Sequence, residues 1–120
     1  MGGGKSNVTN VRVKQGGGER AGLSVEEIRK AEKEIDRKGF ENRGFGHWEF
    51  SGPYTIGASI LDESGTSAGG YGRMKAYSVQ TWGQAVEDIS PKRIYGSLSA
   101  AKTAAKEEMK GWLPSIKKFS

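Results

Sequence analysis

Cysteine is absent from this chain of 120 residues, proline occurs three times and histidine once. Without thiols there are no disulfides, no thiolate metal sites and no cysteine nucleophile. His47 alone is poor material for a zinc centre, which draws on several imidazoles or thiolates. Apolar residues make up only 34%, enough for a core only if part of the chain stays outside it. No apolar run approaches the ~18 residues of a membrane span, and no basic-then-apolar leader opens the sequence. The expectation is an intracellular (cytoplasmic) protein with no transmembrane segment.

Glycine and positive charge are what the sequence has in quantity. Nineteen glycines cluster at Gly2–Gly4, Gly16–Gly18 and between Gly65 and Gly72, where mobile chain or special turns are expected. The net charge of +5 is unevenly placed. Residues 1–22 are basic, 23–45 balanced, 46–91 acidic, and 92–120 strongly basic, with seven cations against Glu107 and Glu108. Both basic ends suit an anionic partner.

Residues 1–22 read as a flexible, basic, glycine-rich tail, disordered but for a strand-like echo at Val8, Val11 and Val13. Residues 23–120 read as one small α+β domain. Ser24 and Glu27 form a capping box, with Leu23 and Ile28 as a hydrophobic staple, and Gly39 is placed as the left-handed terminator of an N-terminal helix. Its stripe of Val25, Ile28, Ala31 and Ile35 is narrow. Phe45, Trp48 and Phe50 lie in an extended stretch, and Tyr54, Ile56, Ala58 and Ile60 alternate as in a strand. Further strands are expected over Met74–Trp82, Gln84–Ile89 and, shorter, Arg93–Tyr95. A last helix, capped by Ser97 or Ser99, presents Ala101, Ala105, Met109 and Trp112 or Leu113 to the core, and Gly111 and Pro114 end it. The fold class that follows is α+β: a small antiparallel sheet of three to four strands packed against a C-terminal helix, with an N-terminal helix beside it.

No catalytic, cofactor or metal set emerges. His47 has Arg43 and Glu49 near it in sequence, but nothing aims a carboxylate at it. The pairs Asp62-Glu63 and Glu87-Asp88 point to opposite faces of a strand. Gly4-Lys5-Ser6 lacks the rest of a phosphate-binding loop. Met1-Gly2-Gly3-Gly4-Lys5-Ser6 fits the myristoylation pattern, yet a start that is merely glycine-rich is the preferred reading. Gly65–Arg73 is either a phosphate-wrapping loop or a slack connection between strands.

Charge offers the strongest functional lead. Lys102, Lys106 and Lys110 recur every four residues on the last helix, and Lys92, Arg93, Lys117 and Lys118 extend the positive field. Such a row suits phosphate contacts. Aromatic residues offer a second lead, with Trp48, Tyr54, Tyr71 and Trp82 as candidates for a protein-binding face. The segments Tyr77–Gly83 and Arg93–Ala105 faintly resemble the plant ethylene-response type of DNA-binding domain. That family reads DNA with a three-stranded sheet buttressed by an alanine-rich helix. The family's DNA-facing arginines are mostly missing here, and Glu87 and Asp88 stand where cations would be wanted, so family membership does not follow. The leading expectation is a non-catalytic binding module contacting nucleic acid, or an anionic surface of a nucleic-acid-handling protein, through its basic helix and tail. The alternative is a small inhibitor or assembly factor of phage or mobile-element type, acting by binding a protein such as one of the host.

Overall fold

The computed structural model describes residues 20–119. Strand β1 (Arg20–Gly22) leads into helix α1 (Val25–Arg37). The capping box forms: Ser24 Oγ accepts from Glu27 N–H at 3.1 Å, and Glu27 Oε1 accepts from Ser24 N–H at 2.8 Å. Leu23 and Ile28 both pack on the core edge, as a staple requires. The helix stops at Lys38 in extended conformation, and the left-handed terminator expected at Gly39 does not form. Five strands follow: β2 (Glu41–Gly44), β3 (His47–Ser51), β4 (Gly57–Asp62), β5 (Tyr77–Trp82) and β6 (Arg93–Tyr95). Helix α2 (Leu98–Trp112), capped by Ser97, and strand β7 (Lys117–Phe119) complete the described chain.

The sheet of three to four strands is therefore overturned. Five strands form one antiparallel meander in the order β2-β3-β4-β5-β6, and β1 pairs with β7 in a separate two-stranded ribbon. The extra strands escape hydrophobic periodicity for physical reasons. Every residue of β2 is exposed, so an edge strand of Glu41, Asn42 and Arg43 has no buried side to reveal it. The reversal between β2 and β3 uses three successive left-handed residues, Gly44 (φ 87°), Phe45 (φ 54°) and Gly46 (φ 70°). Conversely, Gln84–Ile89 is no strand. Asp88 folds back on Ala85, and only Ile89 bridges to Trp82. Tyr54 falls in a 3₁₀ turn (Pro53–Thr55) and Met74 in the loop before β5, not in the strands expected for them. Of the tail expected over residues 1–22, only Arg20–Gly22 belong to the described residues. Gly2, the Gly4-Lys5-Ser6 start, Val8, Val11 and Val13 lie outside them.

Strand register assigns the two faces. Trp48, Ile60, Val79 and Arg93 stand in one cross-strand row, and Phe50, Ala58 and Thr81 in the next. This face is covered by α2, whose Ala101, Ala105, Met109 and Leu113 are fully buried. Alanine at two of these four places lets the helix lie close to the strands. Helix α1 packs beside α2 and the turn after β3, inserting Ala31 and Ile35 into the same core. On the opposite face, the rows are His47-Leu61-Ser78-Ile94, Glu49-Ser59-Gln80 and Ser51-Gly57-Trp82. No described helix covers them.

Met109 has no exposed surface, whereas Val25 on α1 is mostly exposed. Met109→Ala is expected to lower unfolding free energy in urea by about 2–5 kcal/mol. Val25→Ala is expected to change it by less than about 0.5 kcal/mol.

Candidate functional site

The three lysines of α2 follow its buried stripe by one residue and so line one half-buried flank. That flank meets the end of α1. Lys106 Nζ donates to the Asp36 carbonyl at 3.0 Å, and Lys110 Nζ lies 2.6 Å from Asp36 Oδ1 and 3.2 Å from Glu107 Oε2. A cation among the last carbonyls of a helix satisfies orphan acceptors and the negative end of the dipole. Asp36, and less strongly Glu107, hold the Lys110 ammonium pKa above its ordinary value. Lys110 is only 19% exposed.

Most of the remaining basic residues are tied down as well. Lys118 Nζ bonds both Glu27 oxygens, at 2.8 and 2.9 Å. Lys92 pairs with Glu63 at 3.0 Å on the uncovered sheet face, and Arg93 Nε stands 4.0 Å from Glu108 Oε2 on the helix side. Lys102 and Lys117 have no ion-pair partner among the described residues. Lys102, Lys106 and Lys110 do form one row. Lys92 and Arg93 project from opposite faces of the sheet, and Lys117 and Lys118 belong to the ribbon. The seven residues do not share a surface.

The aromatic candidates are scattered too. Trp48 meets Tyr77 edge-on at 6.0 Å on the helix side of the sheet. Trp82 covers Gly57 from the other side, where a Cβ would come within 2.5 Å of its ring. Tyr54 sits with φ 57° in the turn between β3 and β4. Tyr71 alone of the four is largely exposed, at 79%.

Phe45, fully exposed at the β2–β3 tip, is the residue that the sequence reading passes over. Its signal was the Gly44-Phe45-Gly46 triplet, a bulky group held between two turn glycines. The Asp62 N–H donates to the Gly46 carbonyl at 2.8 Å, so the tip adjoins the start of the loop carrying Tyr71. That loop is not slack. The N–H groups of Gly69, Gly70, Tyr71 and Gly72 each donate to a carbonyl inside it, and Ser64 Oγ bridges Asp62 to the Ala76 N–H. Those donors are therefore spent and do not wrap a phosphate. Tyr71, like Phe45, has left-handed backbone (φ 59°) and is flanked by left-handed Gly70 and Gly72.

Comparison with family models, with curated proteins and with solved structures yields no match to this chain. Its chemistry must be argued from its own side chains.

His47 Nε2 lies 3.1 Å from Ser59 Oγ on the uncovered face, a pairing that in a hydrolase would join base to nucleophile. Here His47 opens β3 and Ser59 lies inside β4, whose backbone is paired with strands on both sides. Among the described residues no acidic group is hydrogen-bonded to the ring. The described residues hold no cluster of three or more metal-ligating side chains and no helix long and apolar enough to cross a membrane.

Two carboxylates at the end of β4 are held below their ordinary range. Ser64 does this for Asp62, and Ser78 followed by Lys92 does it for Glu63. Glu27 is lowered furthest, from 4.5 to about 2, first by its bonds to Lys118 and then by the Ser24 N–H. A carboxylate whose folded pKa lies below its unfolded value stabilises above the unfolded pKa, and loses that contribution as pH falls through the folded one. The Glu27 contribution is thus complete above about 4.5 and gone near 2. Lys118→Met is expected to raise the Glu27 pKa in a carboxyl NMR titration and to flatten the stability loss across that window. An unchanged Glu27 pKa would refute the assignment. Lys110→Ala is expected to lower stability by about 0.5–1 kcal/mol, whereas Lys102→Ala leaves thermal unfolding unchanged.

Proposed function

We propose that this chain is a non-catalytic binding module that docks another protein at the end of the sheet where Phe45 and Tyr71 stand. One observation carries the reading. Two bulky aromatic side chains are exposed on turns locked in left-handed backbone, a conformation that costs a non-glycine residue about 1–2 kcal/mol. Outliers of this kind concentrate at functional sites. Rigid aromatic anchors lose little side-chain entropy on binding and dominate interface energetics. Met74, also exposed, lies in the same loop and widens the apolar end.

Nucleic-acid binding remains as the second reading, favoured by Lys102 and Lys117, which have no internal ion-pair partner among the described residues. It is ranked below the first because Lys92, Arg93, Lys106, Lys110 and Lys118 each have an internal acceptor or acid. A lysine already paired with a carboxylate brings no net charge to a phosphate backbone and so displaces fewer of its counterions.

A photo-crosslinking residue placed at position 45 or 71 and exposed to extracts of the source organism is expected to capture one protein partner saturably. The same residue at position 33, on the outer side of α1, should not. Phe45→Ala and Tyr71→Ala should each weaken that purified complex at least tenfold, about 1.4 kcal/mol, without changing the melting temperature. Generic duplex and single-stranded DNA test the second reading. Salt-sensitive binding abolished by Lys102→Glu with Lys117→Glu, together with no capture at 45 or 71, would replace the first reading by the second.

A further inference from the structure

Strand β6 has three residues where its neighbour β5 has six. Beyond Val79 the fifth strand is therefore missing, and on that edge the last residues of β5 meet only the Ile89 bridge and hydrogen bonds that join Gln80 and Thr81 to Ser90. Helix α2 continues over this gap. Between helix and strand lies an open cleft of about 310 Å³, lined by Thr81, Pro91, Arg93, Glu108, Gly111 and Trp112 among others. Its volume is near the lower bound for small-molecule sites.

One polar group of this cleft, the Trp112 indole N–H, is fixed from its floor. Trp112 Nε1 donates to Thr81 Oγ1 at 3.0 Å, and that fully buried hydroxyl turns toward Glu108 Oε1 at 3.4 Å. The other Glu108 oxygen lies 4.0 Å from Arg93 Nε. Neither contact reaches the ~2.7–3.2 Å of a good hydrogen bond. A carboxylate only 23% exposed thus keeps acceptor capacity, and the guanidinium beside it keeps donors. The bond from Trp112 to Thr81 fixes the indole against the floor of the cleft, which preorganises that wall of a binding site.

We infer that this cleft binds a small zwitterion of the α-amino-acid class, its ammonium on Glu108 and its carboxylate on Arg93. The charges of the site select for this class. A net cation is repelled by Arg93, and a net anion by Glu108. A neutral dipolar molecule forms only uncharged hydrogen bonds, roughly half as strong as charge-assisted ones. In an α-amino acid the two charges are separated by one carbon, on the order of 3 Å from nitrogen to carboxylate oxygen, which suits a pair of protein charges 4.0 Å apart. The ligand's own side chain then lies against Pro91 and Trp112. Gly111 leaves room for it, since a Cβ built there meets nothing within 4 Å.

The same open space supplies the test. The isotope-labelled full chain is titrated with L-leucine and L-phenylalanine while the Trp112 indole N–H and the Thr81 and Gly111 amides are followed by NMR. Saturable shifts of these signals are expected, with none for N-acetyl-leucine amide, which lacks both charges. Arg93→Gln and Glu108→Gln should each weaken binding about tenfold. Gly111→Leu should abolish it with the rest of the spectrum intact, because the new side chain fills the cleft without touching the fold. Phe45→Ala with Tyr71→Ala should leave it unchanged, so this site stands or falls apart from the protein-docking end. No saturable shift with any of the common amino acids overturns the proposal. So do equal shifts with the capped amide, or undiminished binding by Gly111→Leu.

Discussion

The close approach of α2 to the sheet is the constraint on which the rest of the molecule depends. With so few apolar residues, the core closes only because Ala101 and Ala105 bring the helix down onto Ala58, Ile60 and Val79, while Met109 and Leu113 fill the wider end. A larger residue at either alanine would lift the helix from the strands and leave space the chain cannot fill. This placement consumes the covered face. Helix α1 must then attach to the side of α2, with Ala31 and Ile35 as its only fully enclosed residues.

That lateral attachment explains the lysine row. A helix held by so narrow an apolar stripe gains from polar fastenings at both ends, and α1 has them. Its first turn is fixed by the Ser24–Glu27 box and by Lys118 from the C-terminal ribbon. Its last turn is held by Lys106 and Lys110 from α2. Each fastening is individually modest, but together they fix both ends of a helix whose stripe is two residues wide at the core. Lysines spaced every four residues along α2 are thus explained by α1 before any outside partner is invoked.

The parts of this fold legible in the sequence are those whose signal is local. The capping box needs only Ser24 and Glu27, and the α2 stripe needs only its own spacing. Alternation marked Ala58 and Ile60 in β4, and Tyr77, Val79 and Thr81 in β5. What stayed hidden depends on partners distant in sequence. Strand β2 is defined by pairing with β3 and not by burial, and the ribbon joins residues almost a full chain length apart. The site followed the same rule. The spacing of Lys102, Lys106 and Lys110 showed that they form a row, but not that Asp36 faces it. The aromatics of the strands were grouped together although Trp48 and Trp82 lie on opposite faces, which only the register decides. The cleft was invisible because it arises from a missing strand, the shortness of β6 against β5.

The exposure of Phe45 and Tyr71 is not a by-product of a poor core. Burying a side chain of that size is worth roughly 1.5–3 kcal/mol, in a chain whose total stability is of the order of 5–15 kcal/mol. A fold short of large apolar groups has every energetic reason to use both inside. Instead each stands on a turn whose backbone favours glycine. Glycine at either position would relieve the backbone, and a polar residue would relieve the exposure. The structure thus carries two separate unfavourable features at each of two positions at the same end of the sheet. A partner surface covering both rings would recover the burial that the isolated chain forgoes, while the locked turns would spare it the entropy of ordering them.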